Sequence, residues 1–314
     1  MSWPLIRLLP KETHINFVSL APYAAVLSAI AVIASIVTLV VGGLNLGVDF
    51  KGGTALEITT PGPAPLGALR ADLARIGVKD AQIQQFGDPR SAMIRFERVT
   101  GVDPSQGAAT VKSRLGADFP GIKFTSEDEI SATISGELFT GGLEALGAAI
   151  GLMLLYIWFR FQLQFGLGAV IALAHDIILT MGMLSVFHIE FSLPSIAALL
   201  TVIGYSMNEK VISFDRLREN LRKHKRMPLR EVINLSENER LSRTLITGTT
   251  ALLALSGLLM VPSIYPVIIA MVFGIIIGTY SSIYVALPVI LLWGANRDDD
   301  TAPAAGAKAA VARP

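Results

Sequence analysis

Cysteine is absent from the 314 residues, which excludes disulfides and thiolate metal sites but says nothing about compartment. Charge is scarce as well. Asp, Glu, Lys and Arg make up 16% of the chain against 52% hydrophobic residues, and the net charge is only +1. The charges gather in a few segments instead of spreading as they do on a soluble surface, so a bilayer protein is expected. Motifs for bond-making chemistry are missing too. No Gly-x-x-x-x-Gly-Lys-Ser/Thr run is present to cradle nucleotide phosphates, and neither His-Glu-x-x-His nor Gly-x-Ser-x-Gly occurs. An ATP-driven motor and an intramembrane hydrolase therefore lack their parts, and the chain reads as a non-enzyme without cofactor or metal.

What is there is a set of apolar runs. Six are long enough to cross about 30 Å of hydrocarbon as helices: residues 21–43, 142–160, 166–187, 193–214, 244–261 and 264–292. The first is too long for a simple signal peptide and is expected to remain as an anchor. Positively charged loops stay cytoplasmic. Lys and Arg collect from Arg216 to Arg243, at Arg7 and Lys11, and at Arg160, whereas the turns at 188–190 and 262–264 carry neither. Both termini are thus predicted to be cytoplasmic, with the basic loop 215–243 on the same side and the tail 293–314 disordered.

Residues 44–141 must then lie outside. Thr54–Thr59 alternates like a half-buried strand, Pro65–Ile76 has helical spacing, and 81–86 and 92–98 alternate again. A second helix is predicted over 104–115 and a last strand near 122–125. The order β-α-β-β-α-β is that of a ferredoxin-like split fold, which is compatible with a binding module or with a folded spacer. The expected class is a six-helix membrane bundle with a small α+β outer domain between helices 1 and 2.

Within the fourth run sits Gly204-Tyr205-Ser206-Met207-Asn208-Glu209-Lys210. A charge at mid-membrane costs roughly 2.5 to 3.5 kcal/mol, so an ionisable group kept there usually lines an ion path or is tied to a partner. Glu209 is the primary candidate for carrying a proton, with a static ion pair that fixes helix register as the alternative. A glutamate titrates near 4.3 in water, so loading it near neutral pH requires a rise of roughly 3 units, which burial can supply. His175 and Asp176 fall near the middle of the third run. Asp176 suits a second relay or an interhelix hydrogen bond. Gly274, Gly278, Ser281 and Ser282 mark a close-packing face on the sixth run. The basic segment lacks interleaved aromatics and suits anionic lipid, not nucleic acid.

Gly43-Leu44-Asn45-Leu46-Gly47-Val48-Asp49-Phe50-Lys51-Gly52-Gly53-Thr54 resembles the Asp-Phe-x-Gly-Gly signature of the SecD/SecF family of protein-export membrane subunits, on the SecF side. Tyr156–Phe161, His175-Asp176, Ile203–Ser206, Phe214–Asn220, Leu241–Thr244 and Gly278–Ser282 follow in the family's order. The resemblance implies kinship with proton-driven resistance-nodulation-division transporters, a SecD partner and the SecYEG channel (SecY, SecE, SecG), with YajC as a further associate. It implies a bacterial inner membrane, a periplasmic domain over 44–141, and use of the proton gradient to draw translocating polypeptide outward. A proton-driven exporter of small molecules or lipids is the rival within the superfamily. Asp49 and Phe50, with Gly52 and Gly53, are expected to form the junction between helix 1 and the outer domain.

Departures from the family pattern are concentrated around the candidate site. Asn208-Glu209-Lys210 stands where the family reads Asn-Asp-Thr, and Glu237-Asn238-Glu239-Arg240 where it reads Ile-Asn-Gln-Thr. Arg243 matches the family's basic residue and is expected to approach and leave Glu209 as the proton comes and goes. Lys210 need not pair with Glu209 and can extend toward the cytoplasmic interface instead; with Asn208 it is counted among the candidate proton-coupling residues beside Glu209, Arg243 and Asp176.

Overall fold

The computed structural model describes residues 13–294 other than 79–80, 86–87, 98, 100, 103, 131, 162 and 262–263. The expected tail disorder and the basic residues Arg7 and Lys11 lie outside the described residues. Asn16 opens the first helix, α1 (Phe17–Val41), by accepting the Ser19 backbone N–H at 3.1 Å, the usual way an orphan donor of a first turn is satisfied. Few α1 side chains are buried. Val18, Ala21, Ser28 and Ser35 form the stripe that leans on the rest of the bundle, leaving an apolar face for lipid.

After α1 come a two-residue strand, β1 (Asn45–Leu46), and a single helical turn, α2 (Val48–Lys51). The outer domain then runs β2 (Gly53–Thr59), α3 (Leu66–Arg75), β3 (Gln82–Gln85), β4 (Ser91–Phe96), α4 (Pro104–Asp118) and β5 (Lys123–Ile130). Its sheet is antiparallel in the order β3-β4-β2-β5. Burial alternates residue by residue along β2 and β4, because successive side chains of a strand point to opposite faces. Leu56, Ile58, Ile94 and Phe96 accordingly meet Leu69 and Leu73 of α3 and Val111 and Leu115 of α4 in one core.

The bundle continues with α5 (Ala132–Arg160), α6 (Leu163–Val186), a second short strand β6 (Glu190–Phe191), α7 (Leu193–Lys223) and α8 (Leu229–Ser256). A 3-10 turn follows at Leu258–Met260. Last come α9 (Tyr265–Ser281), a π-helical turn at Ser282–Ala286 and α10 (Leu287–Trp293). Among the described residues, five helical stretches are long and apolar enough to cross a membrane: Phe17–Val41, Ile134–Arg160, Leu163–Val186, Leu229–Met260 and Tyr265–Leu292. The run expected to form the remaining span falls in α7, which has 31 residues. It has the length, but Asn208-Glu209-Lys210 dilutes its apolarity.

Residues 215–243 are not the loop the charge pattern suggests. α7 continues to Lys223 and α8 begins at Leu229, leaving only a short turn that ends at Pro228. Charged residues one turn apart keep these extensions helical: Arg216 meets Glu219, and Lys223 meets Glu219 at 2.6 Å, while Arg216 also reaches Glu239 on α8 at 2.7 Å.

Small residues set how closely the helices approach. A Cβ on Gly182 of α6 would collide with Ser35 of α1, its Cα lying only 2.8 Å away, whereas nothing lies within 4 Å of one on Gly204. Gly182→Ala is expected to lower stability by about 1 to 3 kcal/mol through overpacking. Gly204→Ala should be neutral or gain up to about 1 kcal/mol of helix propensity. Thermal unfolding of the two variants in the same detergent checks this; equal melting behaviour would contradict the packing assigned to α1 and α6.

Candidate functional site

Glu209 and Lys210 are adjacent on α7 and point about 100° apart, so each enters a different polar cluster. Both are buried, with 1% and 0% of their surface exposed. Lys210 does not reach the cytoplasmic interface. Its Nζ donates to Asp176 Oδ2 on α6 at 2.7 Å and to Ser281 Oγ on α9 at 3.1 Å, and also to Ser206 Oγ one turn back. Ser206 and Ser281 in turn donate to Asp176 Oδ2, the latter at 2.7 Å. The reason is reach and charge: Asp176 is 1% exposed, and a buried carboxylate attracts the nearest cation more strongly than the interface does.

The other Asp176 oxygen lies 2.9 Å from His175 Nδ1. His175 Nε2 meets Ser28 Oγ of α1 at 3.1 Å, and Ser28 meets Tyr280 Oη at 2.9 Å. His175 and Asp176 thus bond to each other, although they are neighbours in sequence. A polar chain runs from α1 to α7. At its α1 end a cavity of about 600 Å³, walled by Ala25, Ile171 and Pro288, reaches Ser28 and His175.

Glu209 faces α8. Thr244 donates to its Oε2 at 3.0 Å, and Arg240 Nη1 lies 3.5 Å from the same oxygen. Arg240 also donates to Thr244 at 2.8 Å and to Ser282 at 3.0 Å. Its Nε is 2.8 Å from one Glu237 oxygen, and its Nη2 is 2.7 Å from the other. Arg240, not Arg243, is therefore the cation beside Glu209. Arg240 and Thr244 are four residues apart and share the face of α8 that looks at α7, whereas Arg243 is rotated off that face and exposed. Asn208 is exposed as well and joins neither cluster. Glu237 and Arg240 were legible as departures from the family pattern, and Ser206 and Thr244 as parts of its motifs, but none of them, nor Ser28, was picked as a partner of the buried acids. The Glu237, Arg240 and Thr244 spacing at i, i+3 and i+7 was the available signal.

The junction residues position α7. Asp49 Oδ2 accepts the backbone N–H of Leu193, the first residue of α7, at 2.9 Å, adding a negative charge where the helix dipole favours one. Phe50 is buried edge-on against Phe139 of α5, its ring 5.3 Å away, and packs on Phe191 at 5.7 Å. Gly52 and Gly53 have φ of 76° and 143°, and a Cβ on Gly53 would lie 2.5 Å from the Phe96 carbonyl oxygen. Only glycine suits that turn. β1 pairs in parallel with β6, Asn45 opposite Glu190 and Leu46 opposite Phe191.

Arg95 of the outer-domain strand β4 reaches Glu190 at 3.3 Å. Burial pushes the Glu190 carboxyl above the ordinary glutamate range; the Arg95 guanidinium opposes this and the nearby Asp49 charge adds to it. A raised value in the folded state means the intact junction binds the proton more tightly than an opened one. That contribution is complete below the ordinary glutamate range and is lost as pH rises through the raised value. Protease resistance of the outer domain should therefore fall across that window in the unaltered chain and be flat in Glu190→Gln. The same slope in both proteins would exclude Glu190 as its source.

A family description for the protein export membrane protein SecD/SecF, C-terminal region, matches residues 110–296, and one for the SecD/SecF GG motif matches residues 37–60. The protein translocase subunit SecF of Cereibacter sphaeroides is 41% identical over 303 residues, covering 93% of each chain.

The chain belongs to the SecF family.

The SecF of Rhodobacter capsulatus is 40% identical over 316 residues. Among solved structures, SecDF of Thermus thermophilus, described as translocon-associated, superposes with a TM-score of 0.79 at 30% identity over 91% of this chain. The SecF-family chain corresponds to 40% of that SecDF chain. SecDF in a super-membrane-facing form superposes less closely, with a TM-score of 0.66. The apolar helices and these relatives make the chain a multi-pass membrane protein.

Proposed function

We propose that this chain is the SecF-type accessory subunit of a protein translocase, acting with a SecD partner beside SecYEG to promote polypeptide export across the bacterial inner membrane. In this reading α7 is the fourth of six transmembrane helices, both termini are cytoplasmic, and the domain over 44–141 is periplasmic. The sheet order β3-β4-β2-β5 supports a ferredoxin-like assignment for that domain. YajC belongs among the associated proteins, and the chain itself is a transport component, not an enzyme. The relatives' naming as translocase subunits favours this over a small-molecule or lipid exporter.

The observation that carries the mechanism is Glu209, almost completely buried, with the Arg240 guanidinium 3.5 Å away and Thr244 donating to it. Glu209 alternates between a protonated form with the guanidinium withdrawn and an ionised form with it close. Arg240 takes the part expected of Arg243. Each proton falling through about 100 mV releases roughly 2.3 kcal/mol, enough to tip a poised pair of helix arrangements strongly. The motion passes to the outer domain through the Asp49-capped start of α7 and the Gly52-Gly53 turn, so that the domain alternately grips and releases emerging polypeptide. Asp176, with Lys210 fixed to it, serves as the second polar station.

Glu209→Gln is expected to abolish proton-gradient-dependent stimulation of export in inverted membrane vesicles while leaving co-purification of the SecD partner intact. Undiminished stimulation in that variant would remove Glu209 from the proton path.

A further inference from the structure

Among the described residues of the helical bundle, the buried ionic groups do not balance. Asp176, Glu209 and Glu237 are carboxyl groups, each 1% exposed, and the buried cations are Lys210 at 0% and Arg240 at 4%. Lys210 is committed to Asp176, so Arg240 alone faces both Glu209 and Glu237. Two ionised carboxylates cannot share one guanidinium in a low-dielectric interior without one of them taking up a proton. His175 offers no relief. It sits on the α1 side of Asp176, so a proton there would add a second cation to a carboxylate already matched by Lys210. Tyr205, hydrogen-bonded to Thr279 at 3.3 Å, and Tyr284 of the π-helical turn, which lies within electrostatic reach of Glu237, supply no cation. Nor does Tyr280, held to Ser28 and the Ala24 carbonyl.

We infer that Glu209 and Glu237 form one proton-sharing pair across Arg240, and that Glu237 is the group that holds the guanidinium when it leaves Glu209. This rests on the proton-carrying role proposed for Glu209 and names where the withdrawn cation goes. In the arrangement seen, both Glu237 oxygens are engaged by Arg240 at 2.7 to 2.9 Å, while Arg240 makes a single contact to Glu209, at 3.5 Å, beside the Thr244 hydroxyl. Glu237 therefore holds the charge pair and Glu209 holds the proton. When Arg240 shifts to Glu209, that proton is released and the next one settles on Glu237. No atom is transferred but the proton, and the cluster keeps one proton in either arrangement. Ser282 and Thr244, which accept from Arg240 at 3.0 and 2.8 Å, flank the guanidinium along the way.

The test uses the full chain with its co-purified partner in lipid nanodiscs, read by infrared absorption of protonated carboxyl groups over a pH series, and by gradient-dependent export in vesicles. The unaltered chain should show a protonated-carboxyl band persisting through neutral pH. Glu237→Gln should lose that band, because Glu209 then has Arg240 to itself and stays ionised, and it should lose the gradient response although Glu209 is intact. Glu237→Asp should restore the band. If Glu237→Gln keeps both the band and the gradient response, the pair is overturned; loss of the response in Glu209→Gln alone would then leave the Glu209 proposal standing. Should Glu237→Gln fail to assemble, the double variant Glu237→Gln with Arg240→Gln decides. A carboxyl band fixed at every pH with no gradient response supports the pair, and a retained gradient response refutes it.

Discussion

An ammonium group with none of its surface exposed has to be met on every side, and Lys210 is met by three helices at once. Asp176 comes from α6, Ser206 from α7 itself and Ser281 from α9. Leaving such a charge unpaired inside a bundle is far more costly than any apolar contact nearby can repay. The relative rotation of these helices is thus set by hydrogen-bond geometry, and the apolar side chains fill in around it. The consequence for function is immediate. In the proposed mechanism, Lys210 and Asp176 neutralise each other and the remaining charges on the other side of α7 are the ones that respond to protons.

The same helix joins that interior to the outer domain. Its first backbone N–H is held by Asp49, its preceding strand β6 pairs with β1 at the exit of α1, and Glu190 on β6 is held by Arg95 of the outer sheet. In the proposed mechanism, displacement of α7 is therefore felt where the outer domain meets the bundle. Phe50 in its aromatic nest keeps the anchor packed, while Gly52 and Gly53 provide the backbone conformation that lets β2 leave it. Short, directional contacts connect the two regions, which suits a device that switches between arrangements more than one that deforms smoothly.

How much of this was legible from sequence depended on whether the signal was periodic. Most of the outer domain's strands and helices fall close to their expected bounds, since alternation over 54–59 and 92–98 is a direct record of one buried face; the last strand, expected near 122–125, runs on to Ile130. The β1–β6 pair, two residues a side, is too short to leave a pattern. The start of α8 was hidden because its buried apolar residues, Val232 and Ile233, which pack with Leu217 and Leu221 of α7, stand among charged and polar ones. Glu209 and Asp176 stood out as acids in apolar runs, but the choice of Arg240 over Arg243 depends on how α8 is rotated against α7, which no single helix sequence encodes. Lys210 was misplaced for a related reason: its partner lies on another helix, and only the assembled bundle brings Asp176 within reach.

The central claim is that protonation at the buried carboxyl groups moves the outer domain. Spin labels at Thr125 in the outer sheet and Phe187 at the outer end of α6, read by pulsed dipolar spectroscopy in liposomes with and without a proton gradient, test it most directly. The account predicts that the distance distribution shifts between two populations when the gradient is applied, and that Glu209→Gln holds it in one of them. A single unchanged distribution in the unaltered chain, with and without the gradient, would contradict it.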